Sequence, residues 1–92
     1  KERTHVQDGI ASRKVDISKP INKGIFEDYL EAIPKDIFRI KGIIEFKNFN
    51  NQFVVQFVNG KYELLELEKS KGKDNFLVYI GRNIDRYNLI FN

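Results

Sequence analysis

The sequence has no cysteine, no methionine and no tryptophan, and its 92 residues include a single histidine, His5, and two prolines. Each absence closes off a class of chemistry. Without cysteine there is no disulfide framework, no thiolate zinc site and no thiol nucleophile, so the fold stands on packing alone, and a reducing cytoplasmic setting fits that composition. A serine triad would have to be built on His5, in an N-terminal stretch (KERTHVQD) that reads as frayed or linker-like and offers no nucleophile. No glycine-rich phosphate loop occurs with either P-loop or dinucleotide-binding spacing. No apolar run approaches the roughly 18 residues of a membrane-spanning helix, and the N-terminus lacks the apolar segment of a signal peptide. From the missing methionine and the opening Lys1, the chain is expected to be an excised piece of a longer protein.

What is abundant is charge of both signs. Sixteen basic and thirteen acidic residues leave a formal charge of +3, and the signs are interspersed along the chain. A nucleic-acid binder concentrates its cations on one face. The one dense basic patch, around Lys69, Lys71 and Lys73, reads as a solvated hairpin loop. Glu63, Glu66 and Glu68 alternate along KYELLELE and read as a solvated strand edge, not a cage for a hard metal ion. The length suits one hydrophobic core, since domains cluster near roughly 100 to 150 residues. Residues 1–92 therefore form a single domain, with about 1–8 linker-like.

The hydrophobic pattern predicts an α+β fold: a small, mostly antiparallel sheet of four to five strands with about two helices on one face, in the order β-α-β-β-β-β-α. Gly9 to Ile17 is β-branched and partly alternating, which predicts a strand. Asn22 caps a helix whose stripe is Ile25, Phe26, Tyr29, Leu30 and Ile33, with Ile21 and Phe26 as a hydrophobic staple and Pro34 ending it. In IFRIKGIIEFK, Phe38, Ile40, Ile44 and Phe46 alternate with Arg39, Lys41, Glu45 and Lys47, the mark of a half-buried strand. QFVVQFV repeats the pattern with Phe53, Val55 and Phe57 inside. Asn59-Gly60 is a type I′ hairpin signal, joining that strand to KYELLELE. FLVYI reads as a central strand closed by Gly81, with Val78 and Ile80 in the core. RNIDRYNLIFN starts a last helix capped by Asn83 or Asp85. Phe46, Phe53 and Phe57 share the aliphatic face and so belong to the core, not to a base-stacking platform.

Taken together, DGIASRKVDISKPINKGIFEDYLEAI, FRIKGIIEF, FVVQFVNGKYEL and LVYIGRNID resemble the C-terminal domain of the CobW-like GTPases, from about Asp8 to the end of the chain. The specificity lies in order and spacing: Phe-x-x-Tyr-Leu, then Arg-x-Lys-Gly, then Gln-x-Val, then Ile-Gly-Arg-x-Ile-Asp. The resemblance implies a parent protein with an N-terminal P-loop GTPase domain that holds GTP, Mg and a cysteine-containing metal motif. It also implies a metallochaperone role in moving zinc or cobalt to client metalloproteins or to cobalamin synthesis. The segment in hand would carry no catalytic residue, cofactor or metal of its own. Some relatives carry histidine-rich insertions, and this sequence departs from them in having His5 alone.

Within the matched segments, Gly42 reads as a bulge or close backbone contact, Gly60 as the hairpin glycine, Gly81 as the turn after a strand, and Asp85 as part of the closing motif. Arg39, Lys41 and Gln56, with Arg82 just past another strand, form the candidate interface, either a solvated surface or a face that docks the GTPase domain or a client. The alternative function is a free-standing ligand- or RNA-binding module on a small sheet. Membrane partners are not expected, and nucleic acid is disfavoured.

Overall fold

The computed structural model describes residues 3–5, 9–68 and 72–89. Its strands are β1 (Arg3–His5), β2 (Ile10–Asp16), β3 (Ile37–Glu45), β4 (Gln52–Val58), β5 (Lys61–Glu66) and β6 (Phe76–Arg82). Helix α1 (Lys23–Glu31) follows β2, and a 3-10 turn (Ile84–Arg86) follows β6. All strands lie in one sheet of order β1-β2-β6-β3-β4-β5, with every neighbouring pair antiparallel. The α+β class is as expected, with five longer strands. The sixth strand, β1, lies within the segment read as linker-like.

The last strand enters the middle of the sheet. β2 and β3 both run antiparallel to β6 and hence parallel to each other, so β2-α1-β3 is a crossover split by β6. The helix starts where the sequence placed it. Asn22 accepts a hydrogen bond from the Ile25 backbone N–H at 2.9 Å, and Ile21 and Phe26 are both buried. The β4–β5 hairpin turns through Asn59 and Gly60 at φ 48° and 88°, the left-handed pair that a type I′ turn demands.

The core lies between α1 and one face of the sheet. Phe26 and Leu30 of the helix meet Ile40, Ile44 and Phe46 of the β3 segment, Phe53, Val55 and Phe57 of β4, and Leu77 and Tyr79 of β6. Ala11, Val15 and Ile17 extend it under β2, and Ile84 and Leu89 close it from the C-terminal side.

Several expectations are corrected. Ile25 is 58% exposed, because α1 buries the i, i+4 pair Phe26 and Leu30 and turns Ile25 outward. Phe38 is not in the core: the register slips between Ile37↔Gly81 and Arg39↔Ile80, leaving Phe38 as the extra residue of a bulge and burying Ile37 in its place. In β6 the phase is opposite to that expected. Leu77 and Tyr79 are fully buried, whereas Val78 and Ile80 face away from the helix. Cross-strand pairing decides this, for Leu77 sits beside Val15 and over Gly42, and Tyr79 beside Ile40. Finally, Asn83 and Asp85 cap no helix among the described residues. Asn83 adopts φ 54° without a side-chain cap bond ahead of the 3-10 turn, and Asp85 lies inside that turn.

Two glycines of the matched segments, Gly42 and Gly81, mark close backbone approach. A Cβ on Gly42 would be driven into the Phe76 carbonyl, and one on Gly81 into the Asp36 carbonyl. Gly81 is thus an interior residue of β6, paired with Ala11 and Ile37, and not the turn that ends the strand.

Candidate functional site

One face of the sheet carries α1. Among the described residues no helix covers the other, and every residue of β2 to β6 that points there is exposed or half-buried except Gln52. Gln52 is roofed by the β5–β6 connection, its Nε2 donating to the Lys73 carbonyl at 2.9 Å and to Asn75 Oδ1 at 2.6 Å. Of the lysines read as a solvated loop, Lys69 and Lys71 lie outside the described residues, and Lys73 is exposed.

The register arranges the uncovered face in rows. Phe76, Ile43, Val54 and Leu65 form an apolar row across four strands. The next row is Lys14, Val78, Lys41, Gln56 and Glu63, and the next is Ser12, Ile80, Arg39, Val58 and Lys61. Three of the four candidate interface residues therefore come together, with Lys41 directly opposite Gln56 and Arg39 two residues along the same strand. Arg82 lies on the same face, two residues beyond Ile80 at the end of β6.

The electrostatics of this face are unbalanced. The cross-strand partners of Arg39 are Ile80 and Val58, those of Lys41 are Val78 and Gln56, and among the described residues neither cation has an ion pair. The aromatic rings at its margin are occupied. The Lys14 ammonium stands 5.0 Å from the Phe76 ring centre, and the Arg82 guanidinium 5.9 Å from that of Phe38. A hollow of about 330 Å³ opens at the β4–β5 end of the face between Gln56, Val58, Lys61, Tyr62 and Glu63.

The covered face holds a polar cluster that the sequence reading missed. Tyr79 and Tyr29 share a hydrogen bond of 2.6 Å between their hydroxyls. Arg13, opposite Tyr79 on β2, donates from its terminal nitrogen to the Tyr87 carbonyl at 3.0 Å. Burial pushes the Tyr79 phenol far above its ordinary range, with Tyr29 adding to the effect, and burial likewise raises Tyr29. Nearby, the Tyr87 hydroxyl donates to Asp36 at 2.7 Å, and this bond, with a weaker one from Asn83, holds the Asp36 carboxyl below its usual value. The available signal was alternation: Arg13 falls in phase with Ala11, Val15 and Ile17, the buried side of β2.

Among the described residues no group of three or more His, Asp or Glu side chains is placed to share a metal ion. No helix among them is long and apolar enough to cross a membrane. A pocket of about 320 Å³ between the end of α1 and the β4–β5 turn is lined by Ile33, Pro34, Lys35, Ile37, Phe57, Asn59 and Gly60, which supply no nucleophile and base in pair.

Fold and face together define a small α+β domain whose sheet is covered on one side and offers the other. The chain belongs to the family of the cobalamin synthesis protein CobW C-terminal domain, whose pattern matches residues 10–90. Among solved structures it is similar to the Zn(II)-bound YjiA GTPase from E. coli and to a Zn(II)-bound triple mutant of the YjiA GTPase. Each shows a TM-score of 0.66 at 20% identity over 82% of this chain. The chain spans 26% of the length of those GTPase chains. No curated protein matches it.

Proposed function

We propose that this chain is the accessory domain of a CobW-like, GTP-dependent chaperone of zinc or cobalt, serving as an interaction and regulatory surface. GTP, Mg and the transported metal would be handled by a P-loop GTPase domain of the same parent chain. The uncovered sheet face would dock either that domain or a client metalloprotein, so that nucleotide state is passed between the parts. The observation that carries the reading is the family match joined to a face whose central cations, Arg39 and Lys41, have no ion pair among the described residues.

The test has two arms. Calorimetry on the 92-residue chain should show no GTP binding, and micromolar binding would overturn the division of labour. In the full-length parent, Arg39→Glu with Lys41→Glu should change the rate of GTP hydrolysis or client metallation, and unchanged values for both would remove the face from the mechanism.

A further inference from the structure

We infer that the uncovered face takes a separate protein, and that the contacting element of this partner is an amphipathic helix with two carboxylates four residues apart beside an apolar stripe. This rests on the accessory-domain reading and names the partner chemistry of the face. On a solvated antiparallel face, opposite charges across strands offset one another. Here Arg39 and Lys41 sit on the inner strand β3 with aliphatic or amide neighbours, and the carboxylates of the same face, Asp16, Glu45 and Glu63, lie at its rim. No direct cross-strand partner of Arg39 or Lys41 is a carboxylate, which leaves both open to carboxylates of a partner.

Residues two apart on a strand stand about 6.6–6.8 Å from each other on one face. Residues four apart on a helix are separated by a rise of about 6 Å. A helix lying along β3 thus sets Asp or Glu at i and i+4 against Arg39 and Lys41, and its apolar stripe against Ile43, Val54 and Val78, all half-buried.

The face suits protein over nucleic acid. Base stacking needs free aromatic rings on inner strands. The two rings of this face, Phe76 on β6 and Phe38 on β3, already stand against Lys14 and Arg82, and Ile43, Val54, Val78 and Ile80 between them are aliphatic. Obligate interfaces are more apolar and lose charge at their centre. A face with two cations at its centre suits a reversible, electrostatically steered partner over a permanently seated domain.

The probe is a fluorescein-labelled helical peptide of about 18 residues with a leucine stripe and glutamates at i and i+4. Its controls are the same peptide with glutamine at those positions and a short single-stranded oligouridylate. Anisotropy is read on the full-length parent. The acidic peptide should bind roughly tenfold more tightly than the glutamine peptide, with the preference shrinking as salt rises past about 0.1 M. Arg39→Glu with Lys41→Glu should abolish the preference, and Lys23→Glu with Lys35→Glu, on the other side of the domain, should leave it intact. Should the glutamate pair not fold, Arg39→Gln with Lys41→Gln serves the same purpose. Equal binding of the two peptides, tighter binding of the oligouridylate, or binding only to the 92-residue chain and not to the parent, each overturns the inference. Peptide failure with GTP hydrolysis still responsive to Arg39 and Lys41 removes the helix partner alone. A binding peptide with unresponsive hydrolysis removes the chaperone coupling alone.

Discussion

Tyr79 is wholly enclosed, yet its hydroxyl is satisfied by that of Tyr29, so the centre of the core carries one polar bond linking helix to sheet. An unmet buried hydroxyl would cost more than the bond contributes, so the pair is selective about how α1 sits. The bond also makes stability depend on pH. Phenols of the unfolded chain ionise near about 10, while burial keeps the proton on Tyr79 beyond that point. Its contribution is therefore full below about 10 and is lost as pH rises further. Tyr79→Phe should cost about 0.5–1.5 kcal/mol at neutral pH and make the alkaline decline shallower. Urea unfolding at neutral and alkaline pH measures both, and an equally steep decline in the variant would contradict the assignment. Arg13 belongs at this scale too: it is a charged residue in the apolar phase of its strand, legible as an anomaly, but the sequence did not reveal the Tyr87 carbonyl that receives it.

Among the elements, α1, β4 and the β4–β5 hairpin were legible because each has a local signal: a cap with a staple, strict alternation, and Asn59-Gly60. β6 was not, because Phe76-Leu77-Val78-Tyr79-Ile80 is apolar in both phases, and the choice between them is made by neighbours distant in sequence. The bulge at Phe38 was hidden for the same reason, since a register slip against β6 leaves no mark in β3 alone. At Gly42, β3 leaves no room for a Cβ against the Phe76 carbonyl of β6. Gly42→Ala forces backbone to move and should destabilise by about 1–3 kcal/mol in urea unfolding, whereas unaltered stability would mean that the strands have room to spare. The 3-10 turn is held to the start of β3 through Tyr87 and Asp36. Because that bond depresses the Asp36 carboxyl, its stabilisation is present above the ordinary carboxylate range and is lost as pH falls through the folded value. Asp36→Asn should flatten the acid limb of a stability curve followed by circular dichroism, and an unchanged limb would assign the acid sensitivity elsewhere.

At the scale of the molecule, one face of the sheet packs on α1 and the other carries Arg39 and Lys41 exposed, so packing and the proposed recognition can be separated by mutation. Replacing both Arg39 and Lys41 by glutamate should shift unfolding free energy by no more than about 0.5 kcal/mol, because neither makes an ion pair among the described residues. A larger loss in chemical denaturation would show that this face also holds the fold together. The candidate interface was legible as a set of polar positions on neighbouring strands. Its chemical character was not, because the aliphatic neighbours of the cations come from β4 and β6 and become visible only when the sheet is assembled.

The insertion of β6 between β2 and β3 has a consequence for synthesis. Chains emerge N-terminus first, at roughly 5–20 residues per second. Until Phe76–Arg82 has left the ribosome, β2 lacks its inner partner and β3 has a bare inner edge, with the apolar residues meant for the core unprotected. A product truncated before that point has two half-sheets and no centre. Both faces of the sheet, the one packed on α1 and the one bearing Arg39 and Lys41, are complete only on chains translated through Arg82.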